Sequence, residues 1–217
     1  MRTHVYIDGF NLFYSVLSGT AYKWLDLHEL FATHLIRPSS PDATIQRIKF
    51  FTAPVKGSLA SDPRSEQRQA HYLRVLNTRH TIEIVHGFHL SATKKGRLQD
   101  SGDIAFVTVM EEKQTDVNIA LHMYRDASRA LCEQIVLCSN DSDLEPALQL
   151  IRQDYPDIRI GLVLPRMAGK ASRKSALLSK HVDWTREHIR EEELRSSQFG
   201  DVLLDKRKRS IRCPIEW

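Results

Sequence analysis

Cysteine is scarce in this sequence, and its placement excludes two roles. Only Cys132, Cys138 and Cys213 occur, an odd trio with no CxxC pair, so a disulfide framework and a Cys-rich zinc knuckle are both set aside and reduced thiols are expected. Long apolar runs are missing as well. The opening MRTHVYIDGF turns charged too soon for a signal peptide or a membrane span, which makes the cytoplasm the expected location and a membrane partner unexpected. Strong charge bias is also lacking: 31 Lys and Arg against 27 Asp and Glu leave a formal +4, which permits a polyanionic partner without demanding one. No internal repeat and no long linker divides the chain. Its 217 residues, 41% hydrophobic and 27% charged, suffice for one globular core. The expected organisation is one α/β domain over residues 1–185 and a C-terminal extension over 186–217 that ends in a basic tail.

Hydrophobic patterning supplies the coarse order of elements. His4 to Ile7 reads as a short buried strand ending at Asp8-Gly9, and Leu27, Leu30, Phe31 and Leu35 recur at helical spacing after Asp26, a capping residue type. IQRIKFFT (45–52) has strand character, and SEQRQAHYLRVLNTR (65–79) is helix-forming with Leu73 and Leu76 as its buried positions. Thr81 to Val85 is a further strand. Phe88 to Thr93 and Ile104 to Met110 flank the polar KKGRLQDSGD (94–103), an exposed hairpin-like excursion. Beyond it, a helix from Thr115 to Leu131, a strand Gln134 to Cys138, a helix Ser142 to Gln153 and a strand Ile158 to Leu164 are expected, then a strand-like HVDW (181–184) and an acidic helical run near 187–195. Such alternation implies a mostly parallel sheet with helices on both faces.

Three segments then bring carboxylates to the places where parallel sheets expose functional groups. Asp8 follows the first strand, Asp141 and Asp143 follow QIVLC, and Asp116 begins the IALHMY helix; open α/β sheets bind ligands beyond the carboxyl ends of their strands. Converging carboxylates disfavour one another's ionised forms, and a divalent cation resolves the conflict. Oxygen donors suit Mg²⁺ or Mn²⁺, and the chemistry that follows is phosphodiester hydrolysis by water. Each acid also has a plainer local explanation. Asp8 beside Gly9 fits an Asx turn, Asp143 or Ser142 fits a helix cap, and Asp116 fits the positive end of its helix. Asn11 fits a cap or an orienting amide, and Lys113 either a solvated charge or a phosphate contact.

On these residues the chain resembles the NYN family, a branch of the PIN-like metal-dependent nucleases. YIDGFNLFYS matches its DGxN signature at Asp8, Gly9 and Asn11; EEKQTDVNIALHMYRD matches its K-x-x-D-V segment at Lys113, Asp116 and Val117; LCSNDSDLEPAL matches its S-x-D-S-D motif at Ser139, Asp141, Ser142 and Asp143. The resemblance implies a PIN-like Rossmannoid α/β fold, a central mostly parallel sheet flanked by helices, with RNA as the substrate class and Mg²⁺ or Mn²⁺ as cofactor. Under it Asp8, Asp116, Asp141 and Asp143 are the catalytic and metal-holding acids, Asn11 and Ser139 fix them, and the reaction is endoribonucleolytic cleavage of single-stranded or locally unpaired RNA. Two departures stand out. His122 occupies the region where many relatives carry a further acid, about 120° around the helix from Asp116, and Gln114 replaces a glycine often found after the lysine. A packing role is expected for His122, with Glu111 or Glu112 as reserve ligand.

Positive charge is available for a polyanion. Lys113, Arg166, Lys170, Arg173 and Lys174 are the expected substrate contacts, and the tail carries Lys206, Arg207, Lys208, Arg209 and Arg212. The plainer reading of that tail is a solvated or disordered segment. Lys94, Lys95 and Arg97 in the excursion either guide substrate or decorate an ordinary turn, and Tyr14, Tyr22 and Trp24 offer a wall for a base. Two other functions stay open. One is a catalytically weak or inactive RNA-binding or assembly module, and the other a phosphatase acting on a small nucleotide; homo-oligomer formation is open too.

Overall fold

A computed structural model describes residues 1–55, 62–100, 102–169, 176–205 and 207–214. The chain begins with β1 (Arg2–Asp8), in which Val5, Tyr6 and Ile7 are wholly buried. Asp8 stops the strand and caps α1 (Gly9–Leu12), its side chain accepting from the Asn11 amide, and Phe13–Leu17 continues that helix with wider turns. Gly9 is required there because a Cβ would lie 2.6 Å from the Phe51 carbonyl oxygen and from the Phe50 ring. Asp26 caps α2 (Leu27–Glu29) through the His28 and Glu29 amides, and Leu30–Ile36 extends it.

Then come β2 (Thr44–Thr52), α3 (Ser65–Leu76) and β3 (Ile82–His86), followed by two long strands, β4 (Phe88–Arg97) and β5 (Ile104–Lys113). The remainder runs α4 (Thr115–Ser128), β6 (Gln134–Cys138), α5 (Glu145–Asp154), β7 (Arg159–Val163), β8 (Trp184–Arg186), α6 (Glu191–Ser196), β9 (Val202–Leu204) and β10 (Ser210–Arg212).

Six strands form a sheet in the order β3-β2-β1-β6-β7-β8, and every pairing within it is parallel. The order reverses between β1 and β6, so the helices that follow these two strands leave on opposite faces and open a crevice at their carboxyl ends. Alternating side chains divide the core accordingly. Val5, Ile7, Val136 and Cys138 pack with Leu27, Phe31, Leu35, Val75 and Leu76 on one face, while Tyr6, Ile135 and Leu137 pack with Ile119, Met123, Leu148 and Ile151 on the other.

Beneath the second face lies a buried polar knot. Asp126 on α4 accepts from the Tyr6 hydroxyl at 2.8 Å and lies 2.5 Å from Lys49 Nζ and 3.0 Å from His4 Nδ1. Burial alone would push its carboxyl up, yet the hydrogen bonds from His4, Lys49 and Tyr6 prevail and hold it well below the usual carboxylate range.

Four elements differ from the sequence expectation. The hairpin-like excursion is present but its strands are longer than expected: β4 runs on to Arg97 and β5 to Lys113, and they pair antiparallel over ten positions as a separate two-stranded arm. The helix expected to reach Leu131 ends at Ser128, because Ala130 adopts a left-handed φ of 50°. HVDW is not a strand over its length: His181 closes a 3₁₀ turn over Leu178–His181, and the last strand of the sheet begins only at Trp184. The tail in its described part keeps its basic side chains Arg207, Lys208, Arg209 and Arg212 exposed, as expected, but is ordered rather than free. β9 and β10 form a hairpin that buries Ile211, with Asp205 accepting from Arg74 at 2.7 Å and from the Arg209 amide at 2.9 Å.

Candidate active site: an acidic cleft at the sheet's crossover

The crevice between the carboxyl ends of β1 and β6 is an open cleft of about 430 Å³, lined among others by Asp8, Asn11, Tyr14, His89, Glu112, Asp116 and Asp141. Asp8 arrives at the end of β1, Asp141 in the loop after β6, Asp116 on the first turn of α4, and Glu112 on the last turns of β5. Parallel pairing of β1 with β6 sets the first two side by side: Ile7 pairs with Cys138, so Asp8 and Ser139 emerge together.

Ser139, wholly buried, joins them. Its Oγ donates to Asp8 Oδ2 at 3.1 Å and accepts from the Asp141 amide at 3.0 Å. Asp8 Oδ1 accepts from the Asn11 amide at 2.9 Å, and Asn11 Oδ1 accepts from the Asn140 amide at 3.2 Å, tying α1 to the loop after β6.

The carboxylates feel one another. Burial first, then the charges of Asp141, Asp8, Glu112 and Asp143, push Asp116 up to about 6. Asp8 is raised too, chiefly by burial, against the lowering effect of its bonds from Asn11 and Ser139. Mutual influence is not convergence, however. Among the described residues no group of three or more His, Cys, Asp or Glu is set to hold a metal ion. Several of the carboxylate oxygens are already engaged: both of Asp8, Asp141 Oδ1 with the Asp143 amide, and Glu112 Oε1 with the amide and hydroxyl of Thr115. The donor set is hard oxygen, which suits Mg²⁺ or Mn²⁺ in kind; an ion that keeps most of its water needs only one or two carboxylates, and this open arrangement is of that sort.

The other residues singled out from sequence fall in several places. Asp143 is exposed and does not line the cleft, although its charge reaches Asp116. Lys113 turns away into an ion pair with Glu111 at 2.7 Å, and Arg166 is held by the Glu187 carbonyl and carboxylate. Lys170, Arg173 and Lys174 lie outside the described residues. Tyr14 lines the cleft, whereas Tyr22 donates to Glu191 and Trp24 is buried with its Nε1 on the Gly200 carbonyl, so neither faces a substrate at this opening. His122 sits edge-on to Phe51, with ring centroids 5.5 Å apart, on the far side of α4.

Sequence reading missed Phe10, His89 and Met110 on the cleft wall. Phe10 stacks on Tyr14 at 6.3 Å and meets the His89 ring edge-on at 5.5 Å, while His89 Nδ1 lies 3.0 Å from the Pro54 carbonyl oxygen. The neighbour of Asp8, Phe10, was visible inside the first motif; His89 and Met110 depend on where the arm docks and carried no local signal.

An open parallel α/β sheet with an acidic cleft at its crossover is the frame of the PIN-like proteins, and the chain belongs to the NYN domain family, whose model matches residues 2–179. Members of that group are generally associated with nucleic acids. The chain is 36% identical over 245 aligned positions to the 6-hydroxy-3-succinoylpyridine 3-monooxygenase of Pseudomonas putida, covering all of this chain and 75% of that protein. A crystal structure of a Vibrio parahaemolyticus protein of unknown function is similar at a TM-score of 0.47 and 18% identity, over 88% of this chain and 92% of that one. Among the described residues no helix is long and apolar enough to cross a membrane.

Proposed function

We propose that the protein binds single-stranded or locally unpaired RNA across the acidic cleft and hydrolyses it slowly, in dependence on Mg²⁺ or Mn²⁺. The observation that carries this reading is the gathering of Asp8, Glu112, Asp116 and Asp141 around one opening, where burial first and the neighbouring carboxylates next raise Asp116 to about 6. A phosphate cannot approach so much like charge unless a cation stands between them. One or two of Asp8, Asp116 and Asp141 would hold it, the ion keeping most of its water, with Glu112 beside them and the exposed Asp143 at the margin. When bound, such a cation supplies activated water and offsets charge on the phosphate oxygens.

The chain's own residues do the positioning. Ser139 fixes Asp8 against the Asp141 loop, Asn11 fixes that loop against α1, and Phe10 with Tyr14 offers an aromatic face on which a base can rest. The open donor set supports a slow reaction, in which RNA binding outweighs cleavage. Matched RNA and DNA oligonucleotides, incubated with Mg²⁺, Mn²⁺ or EDTA, test it. Slow RNA cleavage that EDTA and Asp8→Asn or Asp141→Asn abolish is the expected result; binding without cleavage under every cation would leave only the binding module, and cleavage surviving both EDTA and the substitutions would reject the cation-dependent site.

The Pseudomonas relative supplies a second reading, oxygenation of a hydroxylated pyridine. The wall of Phe10, Tyr14, His89 and Met110 favours it, since a flat heterocycle binds readily against such a surface. Loss of 6-hydroxy-3-succinoylpyridine in the presence of oxygen and reduced nicotinamide, with no RNA cleavage, would establish this reading in place of the first.

A further inference from the structure

The β4–β5 arm has two faces of different electrical character, and one of them begins inside the cleft. Opposed residues of an antiparallel pair share a face, as do alternate residues along each strand. The uninterrupted register therefore gathers His89, Ser91, Thr93, Lys95 and Arg97 with Glu112, Met110, Thr108, Phe106 and Ile104 on one side. The inner end of this side, His89 with Glu112 and Met110, is cleft wall. Its outer end carries Phe106 at 73% exposure and Ile104 at 57%, flanked by Lys95 and Arg97.

On the opposite side Lys94 and Lys113 both pair with Glu111, which offsets one of their two charges and holds both ammonium groups in place. Lys95 and Arg97 form no ion pair or hydrogen bond with the described residues. The result is an exposed aromatic ring between two uncompensated cations, about 20 Å along the strand from Glu112. An isolated two-stranded ribbon with this much exposed apolar surface needs something to cover it.

We propose that this face of the arm is the track along which a single RNA strand reaches the cleft. Phe106 stacks against a base, Lys95 and Arg97 take phosphates beside it, and Thr93 and Thr108 present hydroxyls on the stretch leading to Met110 and Glu112. Stacking plus backbone charge is the chemistry of sequence-tolerant single-strand binding, and the two cations without an ion-pair partner at the outer end of this face favour a polyanion over a neutral partner. The proposal rests on the RNA reading of the cleft and adds to it the surface that delivers the strand.

Fluorescence anisotropy of a labelled single-stranded RNA oligonucleotide, titrated with the full chain in EDTA over a series of salt concentrations, tests it alongside cleavage in Mn²⁺. Phe106→Ala should weaken binding about tenfold. Phe106→Trp should retain affinity, and RNA should quench the fluorescence of the new indole. The double change Lys95→Gln with Arg97→Gln should reduce the slope of log affinity against log salt by about 1.4, two phosphate contacts on a single strand. All three sites are exposed, so melting temperature should hold and report folding. Asp8→Asn, in the cleft, should lose cleavage in Mn²⁺ while leaving the salt-slope change of the arm variants intact.

Wild-type affinity and slope in every arm variant would overturn the track while leaving the cleft reading in place. No RNA binding by the wild-type chain would overturn both. An oligomer that dissociates on Phe106→Ala with RNA affinity unchanged would assign the face to a second copy of the chain instead.

Discussion

The Ser139 hydroxyl bonds directly to Asp8, Oγ to Oδ2 at 3.1 Å, and both residues are buried at the sheet's crossover. The same oxygen accepts from the Asp141 amide, so one small side chain sets the relative position of two strand-end acids. Ser139→Ala should destabilise the protein by about 1–2 kcal/mol, because Asp8 loses a partner that it cannot replace with water. It should also cost about 10–100-fold in the cation concentration needed for RNA cleavage, as expected for a group that orients a ligand. Urea denaturation measures the first effect and a Mn²⁺ titration of cleavage the second. Loss of stability with an unchanged titration would confine Ser139 to folding.

The buried knot around Asp126 governs acid stability. Its folded carboxyl titrates below the usual range while the unfolded one does not, so the native state binds fewer protons in between. The sign follows: its contribution is fully present above the ordinary carboxylate range and is lost as pH falls through the lowered folded value. Asp126→Asn leaves Lys49, almost fully buried, without a counter-charge and should cost about 3–5 kcal/mol at neutral pH. The part of the acid-induced loss that belongs to this group should vanish in the variant, which denaturant midpoints measured at several pH values below neutral would reveal.

Much of this architecture was legible because buried parallel strands write themselves as apolar runs. VYI and QIVLC are such runs, and each ends in the polar residues that the crossover brings together. Asp8, Asp116 and Asp141 were legible as strand-end and helix-start acids for the same reason. The arm was legible as an exposed hairpin but its length was not, since both of its faces are partly exposed and β5 mixes apolar and polar residues without a clean alternation, so periodicity gave no measure of how far the strands run. His89 and Met110 were hidden with it. The basic tail was legible as exposed charge but not as an ordered hairpin, because Asp205 pairs locally with Arg209 and, across a long sequence separation, with Arg74, while Ile211 anchors the hairpin in the core. Likewise nothing local in His4, Lys49 or Asp126 announces that the three meet.

Gln114 sits between β5 and α4 with φ of 78°, in the left-handed region that favours glycine. A side chain there costs about 1–2 kcal/mol, partly offset by the greater freedom that glycine loses on folding. Gln114→Gly should therefore stabilise the protein by about 0.5–1 kcal/mol, whereas the β-branched Gln114→Val should destabilise it by more than that. Thermal melts of the two variants should shift in opposite directions. If both fall, the residue is held there by its side chain rather than tolerated despite it.

Asp116 supplies the sharpest link between stability and the cleft. Its folded pKa of about 6 exceeds the ordinary carboxylate value, with burial the first cause and the Asp141, Asp8, Glu112 and Asp143 charges following. Between pH 4 and 6 the native state thus binds more protons here than the unfolded chain, and stability falls as pH rises through that window. Asp116→Asn removes the charge and should raise the neutral-pH melting temperature by about 2–4 °C, the response to relieving roughly 1 kcal/mol of solvent-screened repulsion. Saturating Mn²⁺ should stabilise the wild-type chain at pH 7, have a smaller effect at pH 5 where Asp116 is largely protonated, and stabilise the variant less at both. Calorimetry at the two pH values decides it: a variant that melts like the wild type and responds equally to Mn²⁺ would remove Asp116 from the cation-holding set and leave the cleft to Asp8, Asp141 and Glu112.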